Sequence, residues 1–372
     1  MNVDLLANFR NILDDIPIDA EEIFVRWRSC GNAYVLSGER QSIEAAARYC
    51  SGYLETLSEP SLGCAKICCL TDDGRVAAMF DSMSHEAVEI EGTSFSHLSF
   101  SVGADVLCVR YEQSRFYDLT LFSPEMVSVV AACTNGPPPF LALVRTLRNH
   151  VACRRLENGE LFLHGAAVKT ESGGILLLGD RRAGKTTQLC ELLTQHSAKF
   201  ISNDRVFLSS DSQISGVPVS VNLRQPTIDH FRQFDLNCEK GEVHAVGTVR
   251  ARGDVSLSVP DFVERLRCRI VSHSHLRTIV VLTHNPEGKG VHIEQLDRKD
   301  LEDLVLAQQF LLVDKTQPFW KVPADRSHKL PELNGVNGWR ICSGNQTIPE
   351  TGALIASLRP SVHDKVAGME VV

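Results

Sequence analysis

The segment Gly179-Asp-Arg-Arg-Ala-Gly-Lys-Thr186 satisfies the pattern G-x-x-x-x-G-K-[ST] in full, and no other stretch constrains the fold as tightly. It follows the wholly apolar run Ile175–Leu178 and opens a helical pattern over Thr187–Gln195, the strand–loop–helix setting that the pattern requires. Glycines let successive N–H groups turn inward as an anion-binding nest, and the following helix directs its positive end at the same point. The expectation is a phosphate-gripping loop for a nucleoside triphosphate. Its binding residues are Gly179, Asp180, Arg181, Arg182, Ala183, Gly184, Lys185, Thr186 and Thr187, with Lys185 on the β- and γ-phosphates and the Thr186 hydroxyl on Mg²⁺.

Other signals narrow the class. The chain has neither the D-x-x-G nor the N-K-x-D of switch-type GTPases, and its best apolar strand, Thr278–Thr283, runs into His284 rather than an acid. The acidic residue arrives early instead: Asp204 stands 19 residues after Lys185, at the end of Phe200-Ile-Ser. One crossover helix predicts that the two strands are neighbours, with Asp204 beside the phosphates. There its carboxylate can hold Mg²⁺ or accept a proton from an incoming hydroxyl.

Three pieces in order, His164-Gly-Ala-Ala-Val168, the loop Gly179–Thr187 and Ser202-Asn-Asp-Arg-Val206, resemble the catalytic domain of HPr kinase/phosphorylase and its relatives. The likeness covers about residues 155–325, with the histidine 21 residues before the lysine. It implies an α/β fold, a P-loop domain of the HPr kinase/phosphoenolpyruvate carboxykinase-like type preceded by a mixed α+β domain. It also implies ATP and Mg²⁺ as cofactors and transfer of the γ-phosphoryl group to an alcohol. The acceptor is a Ser or Thr hydroxyl of a peptide or protein, or a small-molecule hydroxyl. Carried across, Lys185, Asp204, His164 and Asn203 are the catalytic set, and Thr186 and Asp204 the metal ligands. The family has two adjacent aspartates where this chain has Asn203-Asp204, and an amide cannot take a proton. A nucleotide-binding regulatory module or an NTP hydrolase is therefore the alternative. Asp229 is a candidate second metal ligand, and Arg250 or Arg252 a candidate for the family's later arginine. The family's oligomers make a homo-oligomer an expectation.

The Thr134-Asn-Gly-Pro-Pro-Pro139 break predicts a boundary between an accessory or substrate-recognition domain over 1–140 and the P-loop domain over 150–330, with an irregular tail over 331–372. In the first part, Glu21–Arg28 and Ser42–Thr56 read as helices. Ala65–Leu70, Val76–Phe80, Val106–Tyr111 and Asp118–Phe122 read as strands. Phe140–Asn149 reads as a helix, Leu161–Val168 and Lys199–Leu208 as strands, and Asp300–Leu312 as a helix. A formal net charge of −8 gives no general reason to bind nucleic acid or anionic lipid. No run of about 18 apolar residues predicts a membrane span. Twelve scattered cysteines, with poor metal spacing in Cys64-Ala-Lys-Ile-Cys68-Cys69 and no export signal, predict free thiols in a reducing cytoplasm. Arg265, Arg267 and Arg269, with Arg250 and Arg252, are either a basic patch for an acidic substrate or a solvated face.

Overall fold

The computed structural model describes residues 20–60, 64–72, 86–90, 93–101, 105–111, 116–122, 127–133, 138–234, 236, 254–285, 290–309 and 330–358. The chain is mixed α/β and divides into two units, 1–154 with 312–322, and 155–311 with 323–372.

The first unit is built on β1 (Glu21–Trp27), β2 (Ala33–Gly38), α1 (Arg40–Tyr49), β3 (Leu54–Leu57), β4 (Ala65–Asp72), β5 (Glu86–Ile90), β6 (Thr93–Ser101), β7 (Asp105–Tyr111), β8 (Phe116–Phe122), β9 (Val127–Cys133) and α2 (Pro139–Glu157). The strands form one sheet in the order β3-β1-β2-β4-β9-β8-β7-β6-β5. Its β2–β4 and β4–β9 pairs are parallel.

Two helices expected here are corrected. Glu21–Arg28 is a strand, because Val25 and Trp27 alternate into the core while Trp27 stacks on Tyr53 at 5.9 Å. Ser42–Thr56 is helical only to Tyr49; the chain then turns at Cys50 and returns as β3 along β1. The expected strand Val76–Phe80 lies outside the described residues. α2 outruns its expected end at Asn149 and begins on Pro139, a position where the missing N–H costs nothing.

The second unit holds β10 (Leu161–Leu163), β11 (Ala166–Thr170), β12 (Gly173–Leu178), α3 (Lys185–Gln195), β13 (Lys199–Ser202), β14 (Val206–Leu208), β15 (Gln213–Gly216), β16 (Val221–Leu223) and α4 (Gln225–His230). It continues through β17 (Val255–Leu257), α5 (Val259–Arg265), β18 (His273–His284), β19 (His292–Gln295), α6 (Arg298–Ala307), β20 (Asn337–Ser343) and α7 (Ile348–Ser357). The sheet runs β10-β14-β15-β18-β12-β11-β13, with β20 alongside β18 and β19. On one face Ala167, Leu176, Leu178, Ile279 and Val281 pack with Leu301 and Val305 of α6 in an apolar core. At the start of the unit the buried Arg155 guanidinium grips Glu160 at 2.8 Å and 2.5 Å and lies 4.6 Å over the Phe207 ring.

Residues 331–372 are not an irregular tail where they are described. β20 pairs in parallel with β18 from Asn337↔Thr278 to Ser343↔His284, and α7 packs on α3. Gly352 meets the stem of Glu191 so closely that an added Cβ would sit 2.3 Å from its Cγ. Gly352→Val should therefore cost about 1–3 kcal/mol by overpacking. Chemical unfolding measures this, and an unchanged midpoint would mean that the helix pair does not contribute to stability.

Candidate functional site

Strands β12, β13, β18 and β20 run in the same direction, so their carboxyl ends share one edge of the sheet, the usual place for ligands in such sheets. The glycine-rich loop leaves β12 at this edge. Gly179 is held at φ 135°, and an added Cβ would meet the Leu282 carbonyl at 2.3 Å, so only glycine fits. Gly184, at φ 91°, caps α3. Between them Arg182 takes φ 76°, an uncommon conformation for a side-chain-bearing residue and one found at functional turns. Ala183 is buried, while Asp180, Arg181 and Arg182 stand exposed on the rim.

Lys185 is the first residue of α3 and is buried. Its ammonium curls back to donate to the carbonyls of Gly179 at 2.6 Å and Asp180 at 3.1 Å. Burial lowers its pKa, opposed by the carboxylates of Asp204 and Asp180. Thr186, next on the helix, donates its hydroxyl to Asn203 Oδ1 at 3.1 Å.

The two long strands expected around the site are each broken. Leu161–Val168 is split by a turn at His164-Gly165 into β10 and β11, which pair with different neighbours. Lys199–Leu208 is split at Asn203–Arg205 into β13 and β14. These breaks place chemistry at the edge. The Ser202 hydroxyl donates to the Arg205 carbonyl at 2.6 Å and closes a turn in which Asp204 sits at φ 66° and Asn203 is buried. The expected adjacency of β12 and β13 is also corrected: β11 lies between them, because the turn at Glu171-Ser172 folds it back along β12. The site assembles nonetheless, since Thr186 reaches Asn203 across that gap. His164 arrives at the same edge one residue before Gly165, whose backbone abuts the Leu177 carbonyl.

Of the remaining candidates, Asp229 is exposed on α4 and accepts hydrogen bonds from Gln225 and Arg232, which lower its pKa. Those bonds commit its carboxylate locally. Arg250 and Arg252 lie outside the described residues. Sequence reasoning missed the polar seam that anchors α3. Thr187 and Thr227 share a hydrogen bond at 2.8 Å, and the buried Glu191 faces His230 at 3.8 Å. Nothing in the sequence flags these pairs, which join residues about forty positions apart.

The arrangement suits a polyphosphate and a hard cation. The loop and the start of α3 offer an ammonium and the Thr186 hydroxyl, and the turn offers an amide oxygen and a carboxylate; apart from the ammonium, all are oxygen groups that can ligate Mg²⁺. Among the described residues, no group of three or more His, Cys, Asp or Glu is placed to hold a metal by itself, and no helix is long and apolar enough to cross a membrane. Among the described residues, Cys64, Cys68 and Cys69 are free thiols, and burial pushes Cys68 and Cys69 up to about 11 and about 12. No protein-family model matches the chain, and no curated protein matches it.

Proposed function

We propose that the chain is a divergent HPr kinase-like phosphotransferase that moves the γ-phosphoryl group of ATP to a Ser or Thr hydroxyl of a peptide or protein. A small-molecule hydroxyl is the second choice of acceptor. The observation that carries this reading is the convergence, on one sheet edge, of the loop lysine, the Thr186–Asn203 pair and the strained Asp204 turn.

In this reading the loop N–H groups and the start of α3 hold the phosphates, and Lys185 leaves its two carbonyls for phosphate oxygens. Thr186 and Asp204 are the residues that would hold Mg²⁺, which neutralises the triphosphate when bound with it. The acceptor oxygen bonds to the γ-phosphorus as the bond to the β–γ bridging oxygen breaks, and Asp204 takes the hydroxyl proton. Little deprotonation is needed early, because such transition states are loose. Arg181 and Arg182, exposed on the rim, supply guanidinium forks for the transferred group.

The test is γ-labelled ATP with Mg²⁺, the purified protein and a lysate of its source cells, with label followed into protein, peptide and small-molecule fractions. Label entering an acceptor supports the kinase. Release only as orthophosphate supports a hydrolase, and binding without turnover a regulatory module. The module reading has one observation behind it, the amide of Asn203 where a base would stand. In a working site Asn203 is a positioning residue for Thr186, and Asn203→Asp should leave transfer unchanged or lower it by setting a second carboxylate beside Asp204. A gain of about a hundredfold, the scale of a restored general base, would instead mark a decayed kinase.

A further inference from the structure

Between Arg267, which turns at φ 54° at the end of α5, and Arg277 on β18, the chain exposes a basic side chain at almost every second residue. Arg267, Arg269, His273, His275 and Arg277 are exposed, while Leu266, Ser272, Ser274 and Leu276 between and beside them are buried. The backbone enforces the alternation. Phe200 of β13 receives from the segment and gives to it, through Phe200 N–H to Arg269 O at 2.8 Å and Val271 N–H to Phe200 O at 2.9 Å. Beyond it His273–His275 pair with β15. Successive side chains on one side of such a chain stand about 7 Å apart. Lys169 and Lys199 face each other directly across β11 and β13, a like-charge pairing that costs stability unless an anion answers it.

Carboxylates do not neutralise this stripe among the described residues. Glu160 is committed to Arg155, and no carboxylate among the described residues is in ion-pair contact with Arg267, Arg269 or Arg277. His273 has its pKa lowered, by burial first and then by Lys169 and Arg155, so at neutral pH the arginines and lysines carry the charge of the stripe. Arg277 is pre-placed, since its stem lies across Gly173, where a Cβ would come within 2.4 Å of its Cγ. All this stands on a chain of formal charge −8, at the amino ends of β12 and β18, the opposite sheet end from the loop.

We propose that this stripe is a docking surface for an extended acidic segment of a partner protein. An extended peptide lays its Asp or Glu side chains about 7 Å apart along one side, and these answer the exposed Arg267, Arg269 and Arg277 with the facing Lys169 and Lys199. The segment Arg265–Arg277 contains no Phe, Tyr or Trp, and single-stranded nucleic acid is ordinarily gripped by stacking on such rings. The docking surface stands independently of the kinase reading.

The test is fluorescence anisotropy of the full chain with a labelled peptide of six Glu-Ser repeats. A uridine oligonucleotide of similar charge is the comparison. Binding of the peptide should weaken with added NaCl, and Arg267→Glu, Arg269→Glu and Arg277→Glu combined should weaken it by about tenfold or more. The milder set, glutamine at the same three positions, should weaken it by about threefold and decides the matter if the first set fails to fold. Glutamates in place of Arg232, Arg298 and Lys299, exposed elsewhere, should leave it unchanged. Absence of peptide binding, equal losses in the control set, or tighter binding of the oligonucleotide would each overturn the proposal.

Discussion

Lys185→Met should weaken triphosphate binding by about a hundredfold or more and abolish phosphoryl transfer. The ammonium is the one buried cation at the loop, and in the proposed complex each charge-assisted bond from it to a phosphate would be worth about 1.5–3 kcal/mol. Two such bonds give the stated factor. Methionine also leaves the Gly179 and Asp180 carbonyls without their shared donor, so the loop loses a brace as well as a ligand contact. Isothermal titration with ATP and Mg²⁺ measures the change; wild-type affinity in the variant would remove the loop from the nucleotide site. The pH dependence has a definite sign. Burial lowers the Lys185 pKa, and a bound phosphate raises it again. Binding therefore takes up a proton once the pH passes the lowered value, and affinity falls as the pH rises through it. At lower pH the lysine is charged in both states and contributes no slope.

Arg155→Ala should cost about 3–5 kcal/mol in folding stability, the scale for removing one partner of a buried ion pair. Arg155 is 1% exposed and Glu160 13%, so the orphaned carboxylate has little water to turn to. Burial already raises the Glu160 pKa despite the guanidinium, and losing Arg155 raises it further. The penalty should therefore shrink as the pH falls through that raised value and the carboxyl becomes neutral. Arg155→Met combined with Glu160→Gln should recover much of the loss, because an apolar side chain fills the space beside the Phe207 ring and no charge remains buried. Urea unfolding of the two variants, at neutral and at mildly acidic pH, checks both statements. Equal stabilities at neutral pH would show that the pair carries nothing.

The glycine loop was legible because its chemistry is local: eight consecutive residues specify the turn, the helix start and the lysine together. Asn203 and Asp204 were legible by their interval from Lys185, although the reason they meet the loop was not. That reason is a hairpin, β11–β12, which inserts a strand while preserving direction. Glu21–Trp27 was misread because Ile23, Phe24 and Trp27 satisfy helical spacing as readily as Ile23, Val25 and Trp27 satisfy alternation. Seven residues are too few to choose between these periods, and pairing with β2 and β3 makes the choice. The strand Asn337–Ser343 was invisible because its neighbours bury it unevenly, which leaves a mixed pattern of Asn, Gly, Trp and Arg. α7 was hidden for another reason. Its packing depends on Gly352 meeting Glu191, and no local pattern joins positions so far apart.

The strand between β12 and β13 gives the site the form of a trench. With neighbouring strands about 4.8 Å apart, the loop-bearing and turn-bearing strands stand close to 10 Å from each other. The trench floor is the corner at His164-Gly165, and both walls pair with β11, the β11–β13 ladder slipping its register between Ala167 and Val168. The Thr186–Asn203 hydrogen bond at 3.1 Å spans the gap and ties the two walls together. Depth is the adjustable dimension. It is set at Gly165, where an added Cβ would stand 2.9 Å from the Leu177 carbonyl, so even a methyl group there would have to displace the wall or the floor.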